Sequence, residues 1–424
     1  MDKMVSGWLT MTEAERGAYD AACDLAELAA ARARGEDVPS GADLAAACIE
    51  RLCAAPLAKL LDAGVRPGDV SVECGGSLLN VALHVLQTPY PQSPAALPHA
   101  LATLRVVLAR AQPGDWLIRG AMQLLPLAAA ASLSDHAVSQ AVLDAIVASP
   151  GGFPAHAVDA SPGILQHALL YSTPAFVQAL LGAGAAATAP FRLPLTDSSL
   201  SMMAPLFVLA LLQWSGDPRD FRDKLRLLLD AGADLEATDD SGCTALVAAA
   251  LSERPAAFDA LLAAGAQASA LRVNFGPDAA RFNSVLHLLA AKNDAVLIPR
   301  VLATGALDTE FRAGEADDYA TPLQFAAKCD APRAVSALLA GGASLTDTTV
   351  NGMNALQVAI NRSCAQAARP LVEATPRAAH TWLAREAACV VAVRAREAAA
   401  ARPGDTAAVT RFAAAREIAA LLAA

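Results

Sequence analysis

Charge is scarce in this 424-residue chain: Asp, Glu, Lys and Arg make up 17% of it, against about 25% in an ordinary globular protein. Aromatic residues are scarcer still, at 4%. The basic residues are dispersed and the net charge is −10. Binding to nucleic acid or to an anionic membrane rests on clustered Lys and Arg, so neither is an expected partner. No apolar run reaches the roughly 20 residues that a spanning helix needs. The longest uncharged stretch, Ala160 to Phe191, is broken by Pro162, Gly163, Pro174 and Gly182. An apolar signal segment is also missing at the N-terminus. The eight cysteines are scattered, with no C-x-x-C pair. They read as reduced, small core hydrophobes rather than as a metal or disulfide framework. A reducing compartment, the cytoplasm, is the expected location.

Catalytic signatures are missing as well. There is no G-x-S-x-G elbow, H-E-x-x-H, phosphate loop or dinucleotide fingerprint. The seven histidines stand apart in sequence; His84 and His167 are expected inside first helices as packed, hydrogen-bonded side chains. The expectation is a non-enzymatic chain without cofactor or metal. The rival is an enzyme with chemistry in the divergent stretch 77–191 or in the C-terminal helices. A pocket there lined by two or more convergent titratable groups would favour it.

What is abundant is small and apolar: hydrophobic residues make up 55% of the chain, mostly Ala, Leu and Val. Such side chains let backbones approach closely, which suits short helices stacked in layers and suits disorder poorly. A short pattern recurs six times: two aliphatic residues, two small or polar ones, then glycine and usually alanine. Its copies end at Gly64, Gly184, Gly232, Gly265, Gly305 and Gly342. Glycine there predicts a helix ending in the left-handed conformation. A second pattern alternates with the first, most clearly as Thr321-Pro322-Leu323-Gln324-Phe325-Ala326-Ala327. Threonine is the N-cap and proline takes the first helical position, where its missing N–H costs nothing. Weaker copies start at Ser77, Gln123, Gly163, Ala204, Thr244, Ser284 and Asn354.

On these two motifs the chain resembles the ankyrin repeat, whose hallmark is T-P-L-H-x-A, a second helix and a glycine-alanine turn. The resemblance covers residues 45–375 and is strongest from Leu225 to Leu371. Only Asn354 follows its predecessor by 33 residues, the ankyrin period of about 33; the other spacings run from 37 to 46 and place the excess in longer loops. The fold this implies is an all-α, ankyrin-type helical repeat solenoid with short β-hairpin-like loops and helical caps. Residues 1–64 form an N-terminal cap with the first half-repeat, 65–375 about eight repeats, and 376–424 a C-terminal cap. The cap reading predicts helices over 12–34, from Asp43 towards Gly64, over 378–400 and over 406–422. Caps are needed because a terminal repeat has no neighbour to cover its core. His287, at the ankyrin histidine position, is expected to tie one hairpin to the next.

The resemblance also places partner binding on the concave face, lined by the hairpin tips and first helices. Those tips carry Asp234, Glu236, Asp239 and Asp240, and further on Glu315, Asp317, Asp318 and Tyr319. Phe275, Phe282 and Trp214 add aromatic groups in similar places. The functional expectation is a monomeric scaffold whose acidic, aromatic-dotted groove receives a basic segment of another protein. For Asp234 and Asp239 the competing role is turn chemistry, since Asp satisfies turn backbones. The alanine-rich, lysine-poor composition suggests a bacterial chain of high-GC coding. Three settings follow from that: a cytoplasmic scaffold, an immunity-type inhibitor of a toxin or enzyme, and an effector delivered into a host cell. Self-association through the last helices is a third reading.

Overall fold

The computed structural model describes residues 40–423 except 73–75, 88–96, 121–123, 162, 190, 195–199, 204, 213–216, 240–241, 269–283, 308, 311, 313–319 and 401–405. The expected 12–34 helix lies outside the described residues. The described chain is built almost wholly from α-helices, as expected. Contacts divide it into two compact units, Met1–Phe191 with Leu212–Ala233, and Arg192–Leu211 with Asp234–Ala424.

The first unit is a succession of helix pairs. It contains α1 (Gly41–Glu50), α2 (Ala54–Asp62), α3 (Leu78–Gln87), α4 (Leu97–Leu108), α5 (Pro126–Ala131), α6 (His136–Val147), the one-turn α7 (His156–Asp159), α8 (Ile164–Tyr171) and α9 (Pro174–Gly182). Helix α10 (Pro205–Leu212) lies almost wholly in the second unit, and α11 (Pro218–Asp230) belongs to the first. First helices α1, α3, α5 and α8 pack in sequence, and so do second helices α2, α4, α6, α9 and α11.

A single helix from Asp43 to Gly64 is not what forms. Ser40 caps α1 in a capping box with Asp43, but Leu52 takes φ 58° and reverses the chain. Residues 41–62 therefore make a complete pair, whose two helices pack together with Cys48, Ile49, Leu57 and Leu61 buried.

The second unit repeats the plan. Its further helices are α12 (Ala245–Leu251), α13 (Pro255–Ala263), α14 (Val285–Ala291), α15 (Leu297–Ala303), α16 (Pro322–Lys328), α17 (Pro332–Ala340), α18 (Ala355–Arg362), α19 (Ala365–Ala374), α20 (Arg377–Ala400) and α21 (Thr406–Ala423). First helices α12, α14, α16, α18 and α20 pack in sequence. Second helices α15, α17, α19 and α21 do the same. The two long C-terminal helices thus pair with each other and dock on α18 and α19.

Local chemistry explains these elements. All six turn glycines have positive φ, from 67° at Gly305 to 113° at Gly64. Val65, Ala185, Ala233, Ala266 and Ala343, each following such a glycine, donate to the carbonyl five residues back at 2.9–3.2 Å. That bond satisfies a helix-end carbonyl that would otherwise lack a donor. Thr321 and Asn354 cap their helices in boxes with Gln324 and Gln357. Thr244 and Ser284 hold N-cap positions, yet neither side chain makes a cap bond. Gln123 lies outside the described residues; Leu125 occupies the N-cap position of α5 without a side-chain cap bond, and Pro126 takes the first helical position.

Short hairpins precede several first helices. Strand β1 (Val70–Ser71) pairs antiparallel with β2 (Gly76–Ser77), β3 (Phe191–Pro194) pairs with β4 (Leu200–Met203), and Thr238 bridges Thr244. Of the described cysteines, Cys48, Cys243 and Cys364 are buried as expected, whereas Cys329 and Cys389 are exposed and so are not core residues. None of these forms a disulfide. Among the described residues no helix is long and apolar enough to cross a membrane.

Candidate functional site

One polar side chain recurs three residues after the cap of a first helix and reaches the loop that follows. Asn80 Nδ2 donates to the Ile118 carbonyl at 2.8 Å, Gln166 Nε2 to Ala189 at 3.3 Å, and Gln324 Nε2 to Asp347 at 2.6 Å. His287 does the same with Nε2, 3.0 Å from the Ala320 oxygen. A carbonyl only accepts, so the neutral His287 ring carries its proton on Nε2, and Nδ1 accepts from Ser284 Oγ at 2.8 Å. The expected hairpin-tying role of His287 therefore has a definite geometry. Its amide equivalents were not singled out in the sequence, since Asn and Gln read as ordinary polar helix residues. Each tie holds a loop against the helix before it.

The acidic loop residues are themselves anchored. Asp239 Oδ1 accepts the Cys243 N–H at 2.8 Å, and Asp234 Oδ1 accepts the Glu236 N–H at 2.9 Å, both turn contacts. Glu236 and Glu310 reach further, accepting the N–H groups of Gln267 at 2.8 Å and Ser344 at 2.9 Å. Burial pushes the Glu310 carboxyl up, helped by a hydrogen bond shared with Asp347. Asp347 is held down by that same bond, by Ser344 and by Arg312, which lies 3.3 Å away. Among the proposed contact residues the structure places Asp239 alone. Asp240, Glu315, Asp317, Asp318, Tyr319, Phe275, Phe282 and Trp214 lie outside the described residues.

Two concavities stand out. A cavity of about 240 Å³ in the first unit lies among α1, α3, α5 and the loop before α5. Its polar wall is Glu50, Asn80, His84 and Gln87, and Val81 and Val85 supply an apolar side. His84 is thus no packed, hydrogen-bonded residue as expected: it is exposed, because Leu79, Leu83 and Leu86 take the buried face of α3. Gly120 belongs to the wall too, where an added Cβ would come within 2.9 Å of Asn80. The sequence carried a signal for this wall, since Asn80, His84 and Gln87 form one i, i+4, i+7 stripe on an otherwise apolar helix. In the second unit an open groove of about 820 Å³ runs over the second helices α15, α17 and α19.

One buried charge completes the picture. Lys224 on α11 is fully buried, its Nζ 3.1 Å from Asp220 Oδ2 and 3.1 Å from the Leu169 carbonyl. Desolvation lowers its pKa, with the Asp220 carboxylate opposing that shift. Asp220 and Lys224 fall on the same helix stripe as the buried Phe221, Leu225 and Leu228, although in sequence such charges look like surface residues of an amphipathic helix. The contacts of Lys224 join α11 to the end of α8. Among the described residues no cluster of His, Cys, Asp and Glu is arranged to hold a metal ion. Compared with known proteins, the chain matches no protein-family model and no curated protein.

Proposed function

We propose that the chain is an ankyrin-type repeat solenoid whose first helices and hairpin loops bind another protein and catalyse nothing. The observation that carries this reading is the recurring tie from Asn80, Gln166, His287 and Gln324 to the carbonyl of the next loop. It sits at one position of the repeat, three residues past the cap, where the ankyrin pattern has histidine. Loops held in this way form a rigid surface whose outward residues are free to vary without disturbing the core, which is what a binding platform requires. The partner is a protein with a basic segment, because a net charge of −10 and carboxylates in the hairpins attract cations at long range.

A second reading, an enzyme, has one observation in its favour: Glu50 and His84 converge on one cavity.

The test is a paired affinity capture from the lysate of the source cell. One bait is the native chain; the other carries Asp239→Lys, Asp240→Lys, Asp317→Lys and Asp318→Lys. The expected result is a protein held by the native bait and lost by the folded variant. The same proteins on both baits would remove the acidic loops from the interface. An empty native bait would count against the binding reading itself.

A further inference from the structure

In the second unit, α17 buries Ala334, Val335 and Leu338 and turns Arg333, Ser336, Ala337 and Ala340 outward. Helices α15 and α19 stand on either side, with Pro299, Leu302 and Pro370 facing the gap. The open groove of about 820 Å³ thus has α17 as its floor. The three helices run in the same direction, because their N-terminal ends lie side by side. Asn293, just before α15, accepts from the first N–H groups of α17, and Asp330, just before α17, accepts from Ala367 in the first turn of α19. At the other end a Cβ added to Gly341, the C-cap of α17, would come within 2.5 Å of Leu302 on α15.

The groove has two ends of opposite charge. Arg333 is the only charged residue of α17 and stands in its first turn. Glu373 stands in the last turn of α19. Both are exposed, and neither forms an ion pair among the described residues. Arg300 on α15 and Arg369 on α19 are by contrast paired, with Asp259 at 3.1 Å and Glu417 at 2.9 Å. Arg333 and Glu373 are set two helical turns apart along the groove, about 10 Å at a rise of about 1.5 Å per residue.

A floor of alanine and serine lets another backbone come close, and its helices have no free strand edge to offer an extended chain. A helix satisfies its own backbone bonds and can lie on such a floor by its apolar face. Its dipole sets the direction: the negative C-terminal end belongs over Arg333 and the positive N-terminal end over Glu373. We propose that this groove docks an amphipathic α-helix of another protein, antiparallel to α17, with a Lys or Arg against Glu373 and a carboxylate two turns later against Arg333. The inference goes beyond the binding surface of first helices and hairpins and does not depend on it, since the groove is built from second helices alone.

The test is a fluorescence-anisotropy titration of the full chain against a labelled helical peptide with an Ala/Leu stripe. This probe carries one Lys and, two turns later, one Glu beside the stripe; a second probe has the two charges exchanged. The native chain should bind the first probe saturably and more tightly than the second. Ala340→Trp, which fills the floor at an exposed position, should abolish that binding with the thermal midpoint unchanged. The double variant Arg333→Glu, Glu373→Lys should bind the first probe about tenfold more weakly through like-charge contacts and should regain affinity for the exchanged probe. No saturable binding, or binding untouched by Ala340→Trp, would overturn the docking site. Equal affinity of the native chain for both probes would overturn the orientation. A native chain that sediments as a dimer, and as a monomer after Ala340→Trp, would overturn the assignment to another protein in favour of a second copy. An empty affinity capture with probe binding intact would count against the first-helix surface and leave this groove standing.

Discussion

His287 Nε2 lies 3.0 Å from the carbonyl oxygen of Ala320, and the same ring accepts from Ser284 at 2.8 Å. The ring is fully buried and meets Phe325 edge-on, with centroids 5.9 Å apart. His287→Ala would leave a buried carbonyl and a buried hydroxyl without this partner, at roughly 1–3 kcal/mol each. The expected loss is about 2–4 kcal/mol of unfolding free energy in a denaturant titration. His287→Gln should recover part of it, because Gln324 makes the equivalent bond to Asp347. Equal losses in the two variants would show that the ring acts by packing alone.

Lys224 and Asp220 form an ion pair that is almost completely shielded from water. Breaking such a pair from one side leaves an uncompensated charge, whereas replacing both partners with apolar groups is often neutral or stabilising. Lys224→Met alone should cost about 3–5 kcal/mol. Adding Asp220→Leu to it should return most of that loss, as read by urea unfolding. A double variant no better than the single one would mean that the bond from Lys224 to Leu169 matters more than the pair.

Asn293 and Asp330 do two things at once. Each takes a left-handed backbone, with φ 59° and 54°. Each also caps a second helix of a following pair: Asn293 Oδ1 accepts from Arg333 and Ala334 at 2.8 and 3.0 Å, and Asp330 Oδ1 from Ala367 at 2.8 Å. The capped helices α17 and α19 make no side-chain cap bond of their own. Asn293→Gly loses the cap, worth about 1 kcal/mol. Asn293→Ala loses the cap and adds left-handed strain of about 1–2 kcal/mol, so alanine should be the worse of the two. The reverse order in thermal melts would refute the cap-plus-strain account.

Burial lowers the pKa of His167, whose Nδ1 lies 3.2 Å from Ser132 Oγ. The unfolded ring has a pKa of about 6.5, so the unfolded chain takes up this proton first as the pH falls. Stability from His167 is therefore complete above that value and lost as the pH drops through the lowered folded pKa. Between pH 7.5 and 5.5 the native chain should lose more of its thermal midpoint than His167→Gln does. Parallel losses would mean that the ring accepts its proton without penalty.

Much of this fold was legible because it rests on local signals. A glycine after paired leucines has one common structural use, and the run from Thr321 to Ala327 spells a capped helix. The break between α1 and α2 was not legible, since Leu52 adopts a left-handed turn without the glycine or asparagine that usually marks one. Of the ties between neighbouring loops, only His287 could be read, because imidazole stands out where the amides of Asn80, Gln166 and Gln324 do not. The stripe of Asn80, His84 and Gln87 was visible in sequence, but its meaning depends on Glu50 and Gly120, which only the packing of α1, α3 and α5 brings beside it. Asp239 lies between the bridged Thr238 and Thr244, where its carboxylate accepts the Cys243 N–H, a turn contact that its residue type already allowed.

The binding claim is tested most directly by amide hydrogen exchange of the full chain with and without the captured partner. A platform of first helices and hairpins predicts slowed exchange in loops 65–72, 234–244 and 344–354 and in the first helices beside them. Slowing confined to α15, α17 and α19, which line the open groove on the second helices, would contradict it, as would a partner that slows exchange nowhere.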